Sequence, residues 1–232
     1  MPYPFAHPAA VLPLARPMGR LAVPSALAIG SVAPDLWHLV PLASRADSHS
    51  LAALLWFCLP VGLLAYALFH LLLKQPLIAL LWPRLGALAC EGLPKARWDA
   101  VIVSLLVGAL THLAWDALTH TNDHTIQGPN WFQHANTALG SAVLAWWIWR
   151  KVRRLPRVPH GLSIFHRGCV ALAIGGVMAI FALNAADSWP AFDRLLIKSV
   201  GIGALQGLAA ALLVYSLAFR RKILRRAARR AR

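Results

Sequence analysis

Long apolar runs separated by short basic clusters set the pattern of this chain. Leu51 to Leu73 is uncharged and interrupted only by Pro60, Gly62 and His70, long enough to cross a bilayer with some tilt. The pattern recurs four times, so spanning helices are predicted at about 51–73, 99–118, 131–149, 168–186 and 200–219. The third ends in Trp146, Trp147 and Trp149 beside Arg150, the composition of an interfacial aromatic belt. The fourth is rich in small residues, and its Gly175 and Gly176 read as a helix-packing surface. Between the first two runs, Lys74 to Trp98 reads as a basic loop whose middle, Pro76 to Cys90, suits an interfacial helix.

Residues 1–50 break the pattern. Two apolar arms, Phe5 to Ala15 and Leu21 to Ala33, flank Arg16, Pro17, Met18, Gly19 and Arg20. Each arm falls short of the roughly 20 residues a crossing needs. A helical hairpin turning near Gly19 brings His7 close to Asp35 and His38. The alternative is a sixth span over Leu21 to Leu39, kinked at Pro24, which leaves His7 on the opposite side from Asp35. The predicted fold is therefore an all-α, polytopic helical bundle of the integral membrane class, with five spans plus a hairpin or a sixth span. Residues 1–219 form one membrane domain and 220–232 a polybasic tail.

Composition narrows this further. Hydrophobic residues make up 59% and charged residues 13%, outside the usual soluble range, so lipid is the expected solvent. The net charge of +15 does not point to nucleic acid, because Lys and Arg sit in clusters between the apolar runs. The segments 74–98, 150–167 and 220–232 hold 4, 6 and 8 of the 23 basic residues, which places all three in the cytoplasm, the tail on anionic headgroups. Cys58, Cys90 and Cys169 are isolated and offer neither a disulfide framework nor a paired-cysteine metal site.

With that orientation, the histidines gather on the outer side. His38 and His49 precede the first span, His112 lies near the outer end of the second, and His120, His124 and His134 follow. Asp35, Asp116 and Asp123 join them, and His7 does so in the hairpin reading. Ionisable side chains within an apolar helix cost a few kcal/mol unless partnered, so His112 and Asp116 demand an explanation. Imidazole with carboxylate suits zinc, iron or manganese, and a pair spaced i, i+4 can share one ion. Polar glue between membrane helices is the competing explanation. His70 reads as structural, and His160 and His166 as members of a basic loop.

Several stretches together, FAHPAAVLPL from Phe5, IGSVAPDLWHLV from Ile29, SHSL from Ser48, LFHLLLKQPLIALL from Leu68, HLAWDALTH from His112 and FQHANTALG from Phe132, resemble an uncharacterised bacterial membrane family catalogued as domain of unknown function 4184. More distantly, His7, Pro34-Asp35-Leu36-Trp37-His38, His49-Ser50 and His112 to Asp116 are similar to the motifs of the inner-membrane metal-dependent hydrolase family typified by YdjM. That likeness implies ligands at His7, Asp35, His38, His49, His112 and Asp116, with Trp37 where that family has a second Asp. A bacterial inner-membrane location follows from the same resemblance.

The resulting expectation is a membrane-bound hydrolase acting on an ester or phosphoester, of lipid or lipid-linked type, near the outer membrane face. Its metal is a divalent ion, zinc first, held by His7, Asp35, His38, His112 and Asp116, with His49 or His120 as general base. Two alternatives stand beside it. One is a non-catalytic membrane scaffold or assembly protein with a structural His/Asp cluster. The other is an ion or proton carrier, disfavoured because the polar residues gather at one face and show no inverted repeat.

Overall fold

The computed structural model describes residues 4–39, 44–80, 97–119, 130–155, 164–187 and 194–230. Among them there is no strand. The helices are α1 (Pro8–Val11), α2 (Pro24–Gly30), α3 (Arg45–Ser48), α4 (Leu54–Leu73), α5 (Lys74–Leu80), α6 (Trp98–Thr119), α7 (Asn130–Val152), α8 (Ile164–Asp187) and α9 (Arg194–Arg230), with single turns of 3-10 helix between the early ones.

Among the described residues, three helices are long and apolar enough to cross a membrane, Leu54–Leu73, Trp98–Leu118 and Ile202–Phe219. The apolar runs predict five. Helix α7 opens on polar Asn130, Gln133, His134, Asn136 and Thr137, which dilutes its apolar length. Helix α8, Ile164–Asp187, contains the apolar stretch Gly168–Ile180. Within α4 the turn Leu54–Cys58 is widened to π geometry, with the Leu59 N–H donating to the Leu54 carbonyl. Pro60 just beyond it lacks an N–H and crowds the preceding turn, and a wide turn absorbs that misfit.

The chain forms two compact units, Met1–Ala67 with Cys90–Leu155, and Leu68–Ala89 with Pro156–Arg232. In the first, α6 is the axis. Helix α2 packs along it, and Val23, Ala26, Tyr66, Ala100, Val101 and Leu105 form one apolar cluster there. A second cluster of Ala33, Ala53, Phe57, Cys58, Val61 and Ala109 continues toward the C-terminal end of α6. In the second unit α8 packs against α9, and α9 also touches α5 and the last turn of α4.

The N-terminal arms are short helical pieces. The chain reverses at Gly19, whose φ of 54° lies in the left-handed region that glycine enters without strain. Residues 21–39 are not one helix: α2 ends at Gly30, and a separate 3-10 helix, Ala33–His38, begins around Pro34, which cannot extend the helical hydrogen bonding. The second arm is pinned to α6 by buried Ser104, which accepts from the Val23 N–H at 2.9 Å and donates to the Leu21 carbonyl at 2.8 Å. Ser104→Ala strands both backbone groups, so unfolding in detergent should show a loss of about 2 kcal/mol. A variant as stable as the parent would mean the arm is held elsewhere.

The crossing of α2 and α6 depends on two glycines. A Cβ at Gly30 would sit 2.3 Å from the Leu105 carbonyl oxygen, and one at Gly108 would sit 2.4 Å from the Leu27 oxygen and 2.7 Å from the Ser31 nitrogen. Both obstacles are backbone, so no rotamer change relieves them. The glycines that suggest packing from sequence behave differently: a Cβ at Gly175 or Gly176 would meet nothing within 4 Å.

Candidate metal centre

Close approach at Gly108 sets the first element of the site. It brings the end of α2 against α6 one turn before His112, where the Ser31 carbonyl has no further helical N–H to serve. His112, fully buried, places its Nδ1 at 2.8 Å from that oxygen. A carbonyl only accepts, so the proton belongs on Nδ1 and the Nε2 lone pair points the other way. Asp116 lies one turn further along the same face and is also buried.

His49 arrives from α3. Ser44 caps this short helix in a reciprocal box with Asp47: the Asp47 N–H donates to the Ser44 hydroxyl, and the Ser44 N–H and hydroxyl donate to the Asp47 carboxylate. Those bonds hold the exposed Asp47 carboxyl below its ordinary value. A lowered value means its support of the cap is complete above the ordinary carboxylate range and is lost as pH falls through the lower folded value. At the other end of the helix, His49 directs Nδ1 to the Arg45 carbonyl at 3.1 Å and to the Ser48 hydroxyl at 2.9 Å, while that hydroxyl donates to the same carbonyl. The proton again belongs on Nδ1, so Nε2 faces inward.

Two imidazole lone pairs thus meet, with His112 Nε2 and His49 Nε2 3.3 Å apart. Asp116 Oδ2 stands 3.7 Å from the first and 3.6 Å from the second. Around an ion with bonds of 2.0–2.2 Å, tetrahedral ligands lie roughly 3.3–3.6 Å from one another. The three donor atoms nearly reproduce that spacing. Asp35 borders the same space, with Oδ1 3.4 Å from His49 Nε2 and Oδ2 3.9 Å from His112 Nε2. Burial pushes the Asp35 carboxyl up, while the imidazoles of His49, His112 and His7 beside it favour the carboxylate, and the net shift is downward.

His7 closes the inner wall. It is fully buried, its ring stacks on His112 with centroids 3.7 Å apart, and Nε2 is 3.8 Å from Asp116 Oδ1. Trp115 packs edge-on against it and bonds Asn136 of α7, and a Cβ at Gly140 of α7 would press on both Trp115 and Ala6. Among the described residues, two donor groups could hold an ion, His7 with Asp35 and His112, and His49 with His112 and Asp116. Since Ser31 occupies the Nδ1 of His112, the groups share a single Nε2. They are two halves of one cluster.

Of the residues singled out from sequence, His7, Asp35, His112 and Asp116 converge here. His49, expected as a base or, from the family likeness, a ligand, turns its Nε2 into the same space. His38 is half-buried, stacks on Trp37 with ring centroids 3.8 Å apart, and belongs to neither donor group. His120 lies outside the described residues, as do His124, Asp123 and His160. Two participants escape the sequence reading. Ser31 acts through a backbone carbonyl, which no residue type announces. Arg45 brings Nη2 to 3.6 Å from Asp116 Oδ2, from a side chain still 44% exposed.

Residues 1–217, which include every member of this cluster, match the family profile described as Domain of unknown function (DUF4184). No curated protein and no solved structure matches the chain.

Proposed function

The chain belongs to the DUF4184 family, and from its site we propose that it is a membrane-bound, metal-dependent hydrolase of an ester or phosphoester. The observation that carries this is the pair of facing Nε2 lone pairs beside two carboxylates, a buried arrangement that repels itself without a cation in its midst. All donors are nitrogen or oxygen and number two to three histidines with two carboxylates, the set zinc accepts, with manganese or iron as substitutes.

In this reading His49, His112 and Asp116 hold the ion. The carbonyls of Ser31 and Arg45 fix the tautomers and orientations of the two imidazoles, as outer partners of metal-bound histidines do. The ion supplies Lewis acidity toward the scissile ester and toward water. Asp35, whose Oδ1 lies 3.4 Å from His49 Nε2 and so beside the ion, accepts the proton from the attacking water. His7, Trp115 and the apolar wall behind them exclude bulk water from the inner side. The motif resemblance to the YdjM-type hydrolases points the same way and rests on those motifs alone.

The three long apolar helices support a membrane location. We further propose that α7 and α8 also cross, giving a multi-pass protein of the bacterial inner membrane. The basic segments and C-terminus then face the cytoplasm and the tail rests on anionic headgroups. The site then opens at headgroup depth on the outer side, where a lipid or lipid-linked ester is within reach.

The test is a hydrolysis assay of detergent-purified protein on chromogenic carboxylic esters and phosphodiesters, with zinc or manganese added or chelated. Turnover that needs metal and falls at least 100-fold in Asp35→Asn is expected. Turnover that survives chelation, or no turnover on either class in fully loaded protein, contradicts the hydrolase reading.

A further inference from the structure

We infer that Arg45 is an anion-binding residue at the mouth of the cluster, so that the substrate carries a phosphate-like group; this rests on the metal reading above. Three observations meet at this residue. Its guanidinium reaches Asp116 Oδ2 at 3.6 Å while its side chain stays 44% exposed, so it spans from the solvent side to the donor atoms. Its backbone carbonyl receives His49 Nδ1, so the residue is fixed by the same short helix that orients a ligand. The capping box of Ser44 and Asp47 fixes the start of that helix, which limits how far Arg45 can swing.

The balance of charge gives the chemistry. Among the described residues, Asp35 and Asp116 are the carboxylates of the cluster, and a divalent ion offsets their charge. The guanidinium of Arg45, half exposed and reaching the donor atoms, then stands beside a Lewis acid, an arrangement that favours an anion over a neutral carboxylic ester. A planar guanidinium forks onto two oxygens of a phosphate, whereas it gains little from a single ester carbonyl. The same phosphate chemistry comes from a lipid headgroup or from a soluble phosphoester.

The experiment measures binding of inorganic phosphate and of short-chain phosphatidic acid by calorimetry, on zinc-loaded full-length protein in detergent. Wild type, Arg45→Ala and Arg45→Lys are compared, each with its metal content. Wild type should bind both probes, and Arg45→Ala should keep its metal while losing at least tenfold in affinity for each. Arg45→Lys, which keeps the charge but not the fork, should fall between them. Tighter binding of phosphatidic acid identifies a headgroup substrate and equal binding a soluble one, both as inferred. Equal affinity in wild type and Arg45→Ala overturns the inference, as does a loaded wild type that binds neither probe. Arg45→Ala that loses its metal also overturns it, since Arg45 would then support the ion. A wild type that takes up no zinc is the separate failure of the metal reading.

Discussion

Gly108→Ala is expected to destabilise the protein by about 3 kcal/mol, a fall in melting temperature on the order of 10 °C in detergent. The added methyl would sit 2.4 Å from the Leu27 oxygen and 2.7 Å from the Ser31 nitrogen, so α2 must move off α6. Gly30→Ala meets the Leu105 backbone at 2.3 Å and should cost as much. Gly175→Ala is the control. Nothing lies within 4 Å of its Cβ, and alanine is the better helix former by up to about 1 kcal/mol, so the effect should be neutral or mildly stabilising. Equal melting temperatures for Gly108→Ala and the parent would refute the packing described for α2 and α6. Because Ser31 both blocks the new methyl and accepts the His112 Nδ1 proton, the same substitution should weaken metal retention without touching a ligand.

The second large effect is the response to metal. An ion that binds only the folded protein raises its stability by about 2.7 kcal/mol when free metal is 100 times the dissociation constant. Wild type should therefore melt several degrees higher with zinc than with chelator. In His112→Ala that difference should vanish, because both donor groups pass through its Nε2. Asp116→Ala removes one group and should keep at most a weak response through His7, Asp35 and His112. A zinc-dependent rise as large in His112→Ala as in wild type would mean the stabilising ion sits elsewhere.

How much of this was legible in the sequence follows from range. The all-helical class is written in the apolar runs, and the i, i+4 spacing of His112 and Asp116 is local geometry that any helix enforces. The family is legible because its motifs are short and ordered. The span count is legible only in part: five runs predict five spans, three of the described helices are long and apolar enough, and α7 opens on polar positions that dilute its apolar length.

Tertiary contributions stayed hidden. Ser31 matters through its carbonyl, and Arg45 sits in the sequence as one of the basic residues left over after the topology clusters are counted. The sequence leaves His49 open as a base or, from the family likeness, a ligand, because its spacing from His112, 63 residues, carries no geometric information. The inward Nε2, set by Arg45 and Ser48, is what places it in a group that could hold an ion. Gly30 and Gly108 likewise look no different from Gly175 until the backbones they face are known.

Elemental analysis of the detergent-purified protein, beside His112→Ala, tests the central claim most directly. The account predicts about one zinc, manganese or iron per chain, since one Nε2 joins both donor groups, falling below roughly a tenth in the variant. A wild type that carries no metal and takes up none, or a variant that keeps the full amount, would contradict it and leave the cluster as hydrogen-bonded glue between helices.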